Sequence, residues 1–329
     1  RWSRWPGWRC PRTWARPLPD YARPDYARPD NGRPEHGRPE HGRAAYGRPD
    51  PARGEVTSIR SPRVKAARQL AKRAFRERSR LFLAEGPQAV REALAAPGVL
   101  TDLFVSGAAR DRHGDLLEQA AGQGIAAAAV SGEVMAELAQ TVTPQGLLAV
   151  CRFVDVSLAQ LAGAAPRLVA VLANVRDPGN AGTVLRTADA AGADGVIFTA
   201  ASVDPYNSKC VRSSAGSLFH LPVVTGAAPA AATAALRAAG LRVLAADGSA
   251  EHVLGAPVGQ DPGGPDLSGP TAWLFGNEAW GLPADLLALA DEAVAVPIYG
   301  RAESLNLAAA AAVCLYASAA RQHALTTRP

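Results

Sequence analysis

Cysteine is scarce and scattered: the chain has four, Cys10, Cys151, Cys210 and Cys314, and no CxxC pair among them. That excludes a disulfide framework and any zinc site of recognisable spacing, and it fits a reducing, cytoplasmic protein. Long apolar runs are also missing. A membrane span needs roughly 18 to 20 uninterrupted apolar residues, and the nearest stretch, 305–320, is rich in alanine and carries Asn306, Tyr316 and Ser318. The N-terminal segment has no apolar h-region, so no signal peptide is expected. Neither GxGxxG nor GxxxxGK(S/T) precedes a helix in the appropriate context, which disfavours a Rossmann dinucleotide site and a P-loop. Charge of one sign is lacking over most of the chain too. The net charge is +5, but residues 1–54 hold 12 Arg against 6 Asp and Glu, leaving 23 basic and 24 acidic residues for 55–329.

What is present is 329 residues, 48% of them apolar, enough for two domains of ordinary size. Residues 20–50 repeat a five-residue unit such as Tyr21-Ala-Arg-Pro-Asp25 and His36-Gly-Arg-Pro-Glu40. A proline every fifth residue forbids continuous helix and removes ladder donors, and almost nothing in the unit can be buried, so 1–54 reads as a disordered tail. Ahead of the repeat, Trp2, Trp5, Trp8 and Trp14 interleave with arginines, a mixture able to stack on nucleic acid, but an unstructured leader is the stronger reading of the same composition. No function is assigned to it.

From residue 55 the pattern alternates between helix and strand. Val64, Ala67, Ala71, Ala74 and Phe75 recur at helical spacing, with Lys65, Arg68, Lys72 and Arg76 as a basic stripe beside them. The spacing predicts one amphipathic helix. Between Arg60 and Arg80 stand nine basic residues and a single acid, Glu77, the footprint either of a phosphate grip or of a solvated helix face. Runs at 81–84, 99–105, 125–130 and 147–151 read as strands between helical segments, giving a small α/β domain over 55–153.

Residues 154–166 read as a linker into a second domain, 154–329. Apolar runs at 167–173, 195–199, 241–245, 271–275 and 293–298 predict strands separated by helical stretches, hence a largely parallel sheet. In such a sheet ligands bind at the carboxyl ends of strands, where loops and helix N-termini converge. Three loops there are unusual. Asn174 to Arg186 passes Pro178 and Gly179 before a helix, with Asn180 placed as an N-cap; Arg186, among Val184, Leu185 and Ala188, either snorkels to solvent or serves a ligand. Leu274 to Pro283 holds Gly276, which permits close backbone approach, and Glu278, a carboxylate just beyond a strand. Val296 to Leu307 brings Ser304 and Asn306 to the start of an Ala-rich helix, as caps or as site residues.

Asn180-Ala-Gly-Thr-Val-Leu-Arg-Thr-Ala188, Leu274-Phe-Gly-Asn-Glu278 with Gly281-Leu-Pro283, and Val296-Pro-Ile298 with Glu303-Ser-Leu-Asn-Leu307 resemble, in order and spacing, the three signature motifs of SpoU/TrmH-type RNA ribose 2'-O-methyltransferases of the SPOUT class. The stretches Val203-Asp-Pro-Tyr-Asn207 and Val211 to Pro222 resemble the family's middle region, and 55–153 more loosely resembles its ribosomal-protein-like substrate-binding module. The resemblance implies an α/β domain with a trefoil knot, S-adenosyl-L-methionine held by backbone around Gly276, Val296, Ile298 and Leu305, and a homodimer with active sites at the subunit interface. It assigns Arg186 to the ribose 2'-hydroxyl, with Asn180, Glu278, Ser304 and Asn306 arranging it. Arginine is effectively always protonated, so its expected role is a cation that stabilises developing alkoxide rather than a free base. Lys65, Arg68, Lys72 and Arg76 are then the expected grip on structured RNA, more in keeping with rRNA than tRNA. No metal is called for, and His220, His252 and His323 read as structural or exposed. Two competing readings are a catalytically silent RNA-binding protein on the same scaffold and a tRNA base methyltransferase.

Overall fold

The computed structural model describes residues 55–139, 141–255 and 265–326; the expectations for the repeat tail fall on 1–54 and so lie outside the described residues. Up to residue 152 the chain runs α1 (Pro62–Gln69), α2 (Arg73–Ser79), β1 (Leu81–Glu85), α3 (Pro87–Ala95), β2 (Leu100–Ser106), α4 (Gly107–Arg112), α5 (Gly114–Gly122), β3 (Ala127–Val130), α6 (Gly132–Ala139) and β4 (Leu147–Arg152). The strands form one sheet in the order β1-β4-β2-β3, β4 running antiparallel to both neighbours.

The single helix expected across 64–76 is two helices. Leu70 and Ala71 do not continue the helical ladder; their carbonyls accept from Arg76 Nη1 at 2.9 and 2.8 Å. One guanidinium thus satisfies the carbonyls that the break exposes. Arg76 consequently leaves the basic stripe: it is 4% exposed, and its Nε and Nη2 donate to Asp204 at 2.9 and 2.6 Å.

The second half runs α7 (Leu158–Gly163), β5 (Leu168–Leu172), α8 (Pro178–Ala190), β6 (Gly195–Thr199), α9 (Ser208–Ser213), β7 (Val223–Ala227), α10 (Pro229–Ala238), β8 (Arg242–Ala246), β9 (His252–Val253), β10 (Thr271–Phe275), α11 (Ala284–Leu287), β11 (Glu292–Ala295) and α12 (Leu307–Thr326). Its seven strands are all parallel, in the order β7-β6-β5-β10-β8-β11-β9. Residues 154–166, expected as linker, are structured: Val156 N–H bonds Val223 O at 2.9 Å, and Ser157 and Gln160 close a capping box on α7. The strand expected at 293–298 stops at Ala295, because Pro297 has no N–H for a ladder and the chain turns out of the sheet.

β10 is inserted between β5 and β8, after which the chain returns past β8 to β11 and back again to α12, which packs on α8, β5 and β10. Connections of open sheets do not ordinarily cross in this way.

The two sheets share a core. Phe82 of β1 lies 4.8 Å from Tyr206 and 5.9 Å from Phe219, ring centroid to centroid, and Phe153 stacks on Tyr206 at 3.7 Å. Such pairs add roughly 0.5–1.5 kcal/mol each beyond the area they bury. Cys151, Cys210 and Cys314 are buried, separate thiols. Among the described residues, no helix is long and apolar enough to cross a membrane.

Candidate active site

The loops after β5 and β10 meet at the carboxyl edge of the parallel sheet because those strands are neighbours in register, Leu172 opposite Phe275. Asn277, two residues after β10 and 6% exposed, ties them: its Nδ2 donates to Asn174 O at 2.8 Å and its Oδ1 accepts from Ala279 N–H at 2.8 Å. The Asn277 and Gly281 backbones exchange two hydrogen bonds of 2.9 Å, closing the 277–281 loop on itself. A Cβ on Gly276 would stand 2.4 Å from Gly281 C, so the close approach at Gly276 is made by this chain's own backbone.

Closure of that loop aims Glu278 across to the start of α8. Its carboxylate accepts from the Arg176 and Asp177 backbone N–H groups at 3.2 and 3.1 Å and from Asn180 Nδ2 at 3.3 Å. The N-cap is Asp177 rather than Asn180: Asp177 Oδ1 accepts from Asn180 N–H at 2.8 Å. The Lys209 ammonium, 2.8 Å from Asp177 Oδ2, together with the Asn180 amide, holds the Asp177 carboxyl below its usual range. Freed from capping, the Asn180 side chain bridges two loops, its Oδ1 accepting from Asn306 Nδ2 at 3.0 Å. Asn306 in turn caps α12 through Ala308 N–H at 2.9 Å.

Three segments far apart in sequence are thus joined as Glu278–Asn180–Asn306. Arg186 is not bonded to that chain. It lies six residues beyond Asn180 on α8, which on an α-helix is about 240° around and roughly 9 Å along, and it is exposed with no hydrogen bond or ion pair to a described residue. Ser304 is exposed in the 296–306 loop, again without such a bond. In the same loop Ile298 is 39% and Leu305 40% exposed, and Val296 is partly buried. Asn277, Asp177 and Lys209 were not singled out from the sequence. Asn277 carries a usable signal, being the first polar residue after the apolar run 272–275.

An all-parallel sheet with crossed connections and three polar loops gathered at one edge defines an α/β protein of the SPOUT class. Residues 167–316 match the SpoU rRNA Methylase family, and 61–149 match the MRM3-like substrate binding domain. The 23S rRNA (guanosine(2553)-2'-O)-methyltransferase RlmP of Bacillus subtilis (strain 168) is 36% identical over 262 residues, covering 80% of this chain and 98% of its own length. The solved structure of an AdoMet-bound rRNA methyltransferase from Sinorhizobium meliloti superposes with a TM-score of 0.69 at 31% identity, covering 82% of this chain and 98% of that one. The SpoU methyltransferase AviRb from Streptomyces viridochromogenes gives 0.65 at 26% identity, with 80% and 98% covered. The chain belongs to the SpoU methylase family.

Proposed function

We propose that this protein is an S-adenosyl-L-methionine-dependent RNA methyltransferase that methylates a ribose 2'-hydroxyl in structured RNA, ribosomal RNA in particular. The observation that carries the reading is the Glu278–Asn180–Asn306 chain, which joins the three motif loops at a strand-end edge. Relatives named as 23S rRNA 2'-O-methyltransferases support the substrate class.

The residues present fit the cofactor. The 296–305 segment belongs to no helix or strand, and within it Ile298 and Leu305 are exposed apolar side chains, a setting suited to a ligand with an adenine ring and a polar tail. When bound, that group supplies the electrophilic methyl. The protein's part is alignment and charge. Holding the ribose oxygen in line can supply roughly 7 to 11 kcal/mol of the barrier. Glu278, Asn180 and Asn306 hold the loops that define that line. Arg186, a permanent cation, stabilises the developing alkoxide and grips the adjacent phosphate, with phosphate or water taking the proton. Ser304 completes the pocket from the 296–306 loop.

The same reading includes a homodimer, cytoplasmic, with each site at the subunit interface. Exposed Val313 and Tyr316 on α12, with exposed Tyr299 in the loop that precedes it, support the dimer, and the exposed position of Arg186 on α8 suits a site shared between subunits. The crossed connections through β10, β11 and α12 support the trefoil knot. Lys65, Arg68 and Lys72 are the phosphate grip; Arg76, buried against Asp204, is not part of it.

The test is transfer of labelled methyl to rRNA followed by mapping of the modified nucleotide. A 2'-O-methyl product from the wild type, and none from Arg186→Ala with cofactor affinity retained, is the expected result. A methylated base, or full activity in the variant, refutes the assignment.

A further inference from the structure

The region resembling the family's middle segment meets the start of α8 through Lys209 and Ser213, and it also lies against the first sheet. Asp204 takes Arg76, Arg212 reaches Glu85 at 3.4 Å, and Tyr206 and Phe219 pack on Phe82. These contacts hold β1 and α2. A separate contact holds α3, and it leads to α8, the helix that bears Arg186.

His220 Nδ1 lies 2.8 Å from Asp189 Oδ2, and its Nε2 lies 3.1 Å from Glu92 Oε2. Asp189 stands one turn beyond Arg186 on α8, and Glu92 is on α3. A neutral imidazole donates from one nitrogen only and would turn a lone pair toward the second carboxylate, so two carboxylate partners require the imidazolium. The charged groups facing the ring are Asp189 and Glu92. Behind them are neutral partners, Gln88, which donates to Glu92 Oε1 at 2.6 Å, and Ser217, which bonds Asp189. The Asp189 hydrogen bond, opposed by partial burial and aided by Glu92, pushes His220 up to about 9. Burial alone would raise Asp189, but the His220 and Ser217 bonds hold it below its usual range. Gly216 opens the path: its φ is +100°, and a Cβ there would stand 2.5 Å from Glu92 Cγ.

We propose that His220 is a positioning residue whose imidazolium fastens α3 of the first module to α8 and so fixes the RNA-gripping layer relative to Arg186. With the β1 end already held by Arg76 and Arg212, the second attachment turns a hinge into a fixed joint. Only the consequence for turnover rests on the methyltransferase reading. The sign follows from the raised value: the bridge is complete below about pH 6.5, persists at neutral pH, and is lost as pH rises through about 9.

Histidine-labelled full-length protein, followed by NMR across the alkaline range with His220→Gln identifying the resonance, should show a midpoint near 9 that drops by about one unit or more in Glu92→Gln. A midpoint near that of free histidine, or one unmoved by Glu92→Gln, overturns the bridge. Amide exchange in α3 should rise in His220→Gln at neutral pH and in the wild type above the midpoint; unchanged exchange overturns the joint whatever the activity. With a 23S rRNA transcript, His220→Gln should raise KM for RNA roughly tenfold at neutral pH while kcat and the cofactor KM stay within about twofold. His220→Arg, which keeps the charge, should restore most of that loss, and the difference from wild type should shrink at alkaline pH. A lowered kcat at unchanged KM, or a ratio constant with pH, overturns the positioning role. A wild-type chain that methylates no RNA refutes the activity reading, and the titration and exchange results still decide the joint.

Discussion

In the loops after β5 and β10 and before α12, Glu278, Asn180 and Asn306 bond one another, whereas in the basic segment 60–80 four cations bond carboxylates brought from elsewhere in the chain. Of nine basic residues there, five are engaged: Arg63 with Asp102, Arg68 with Glu137, Arg73 with Glu77, Arg76 with Asp204 and Arg80 with Asp155. Only Glu77 among those partners is a sequence neighbour. Lys65 and Lys72 are exposed without an ion pair to a described residue. Motif spacing is therefore a good guide to convergence, and local charge count is a poor guide to available charge.

Breaking the comparison at its most buried point gives the largest expected effect. Arg76→Ala leaves the largely covered Asp204 carboxylate without its cation and two carbonyls unpaired, and should cost about 3 kcal/mol, read as a lowered midpoint in denaturant unfolding. A change within about 0.5 kcal/mol would mean that the interior contact is not what holds α2. Glu278→Ala comes next. It unties the 176–180 backbone, and misplacement of that order should lower methyl transfer about 10²-fold with much less effect on stability. Lys65→Glu with Lys72→Glu should weaken RNA binding about tenfold at low salt and flatten its salt dependence without changing cofactor affinity. The smallest effect sharpens the comparison: Arg68→Ala, already neutralised in part by Glu137, should reduce the salt slope by less than either lysine does. Equal slopes for Arg68 and Lys65 would show that the surface pair opens freely to phosphate.

Much of the fold was legible. The runs at 195–199 and 271–275 are strands with those bounds, since a parallel strand buried on both faces reads as a nearly continuous apolar run, here broken only by the terminal Thr199 and Thr271. The sequence does not reveal β7 because Val223–Ala227 lies at a sheet edge and carries the exposed Gly226 within it, nor α9 because its six residues are too few to show a period. At the site, Glu278 and Asn306 stand where strand-end reasoning puts them. Asn180 was read as a cap, a role that Asp177 fills, because several polar residues before a helix can cap equally well and local sequence does not choose between them.

Element order, the apolar strands, the strand-end positions of the three motifs and the family were fixed by the chain's own pattern, because periodicity and turn chemistry act over a few residues. Tertiary structure decided which cations remain free, that 203–222 seats the first module, and that Glu278, Asn180 and Asn306 touch. Those outcomes depend on segments far apart in the chain competing for the same partners, and only the packed fold settles such competition.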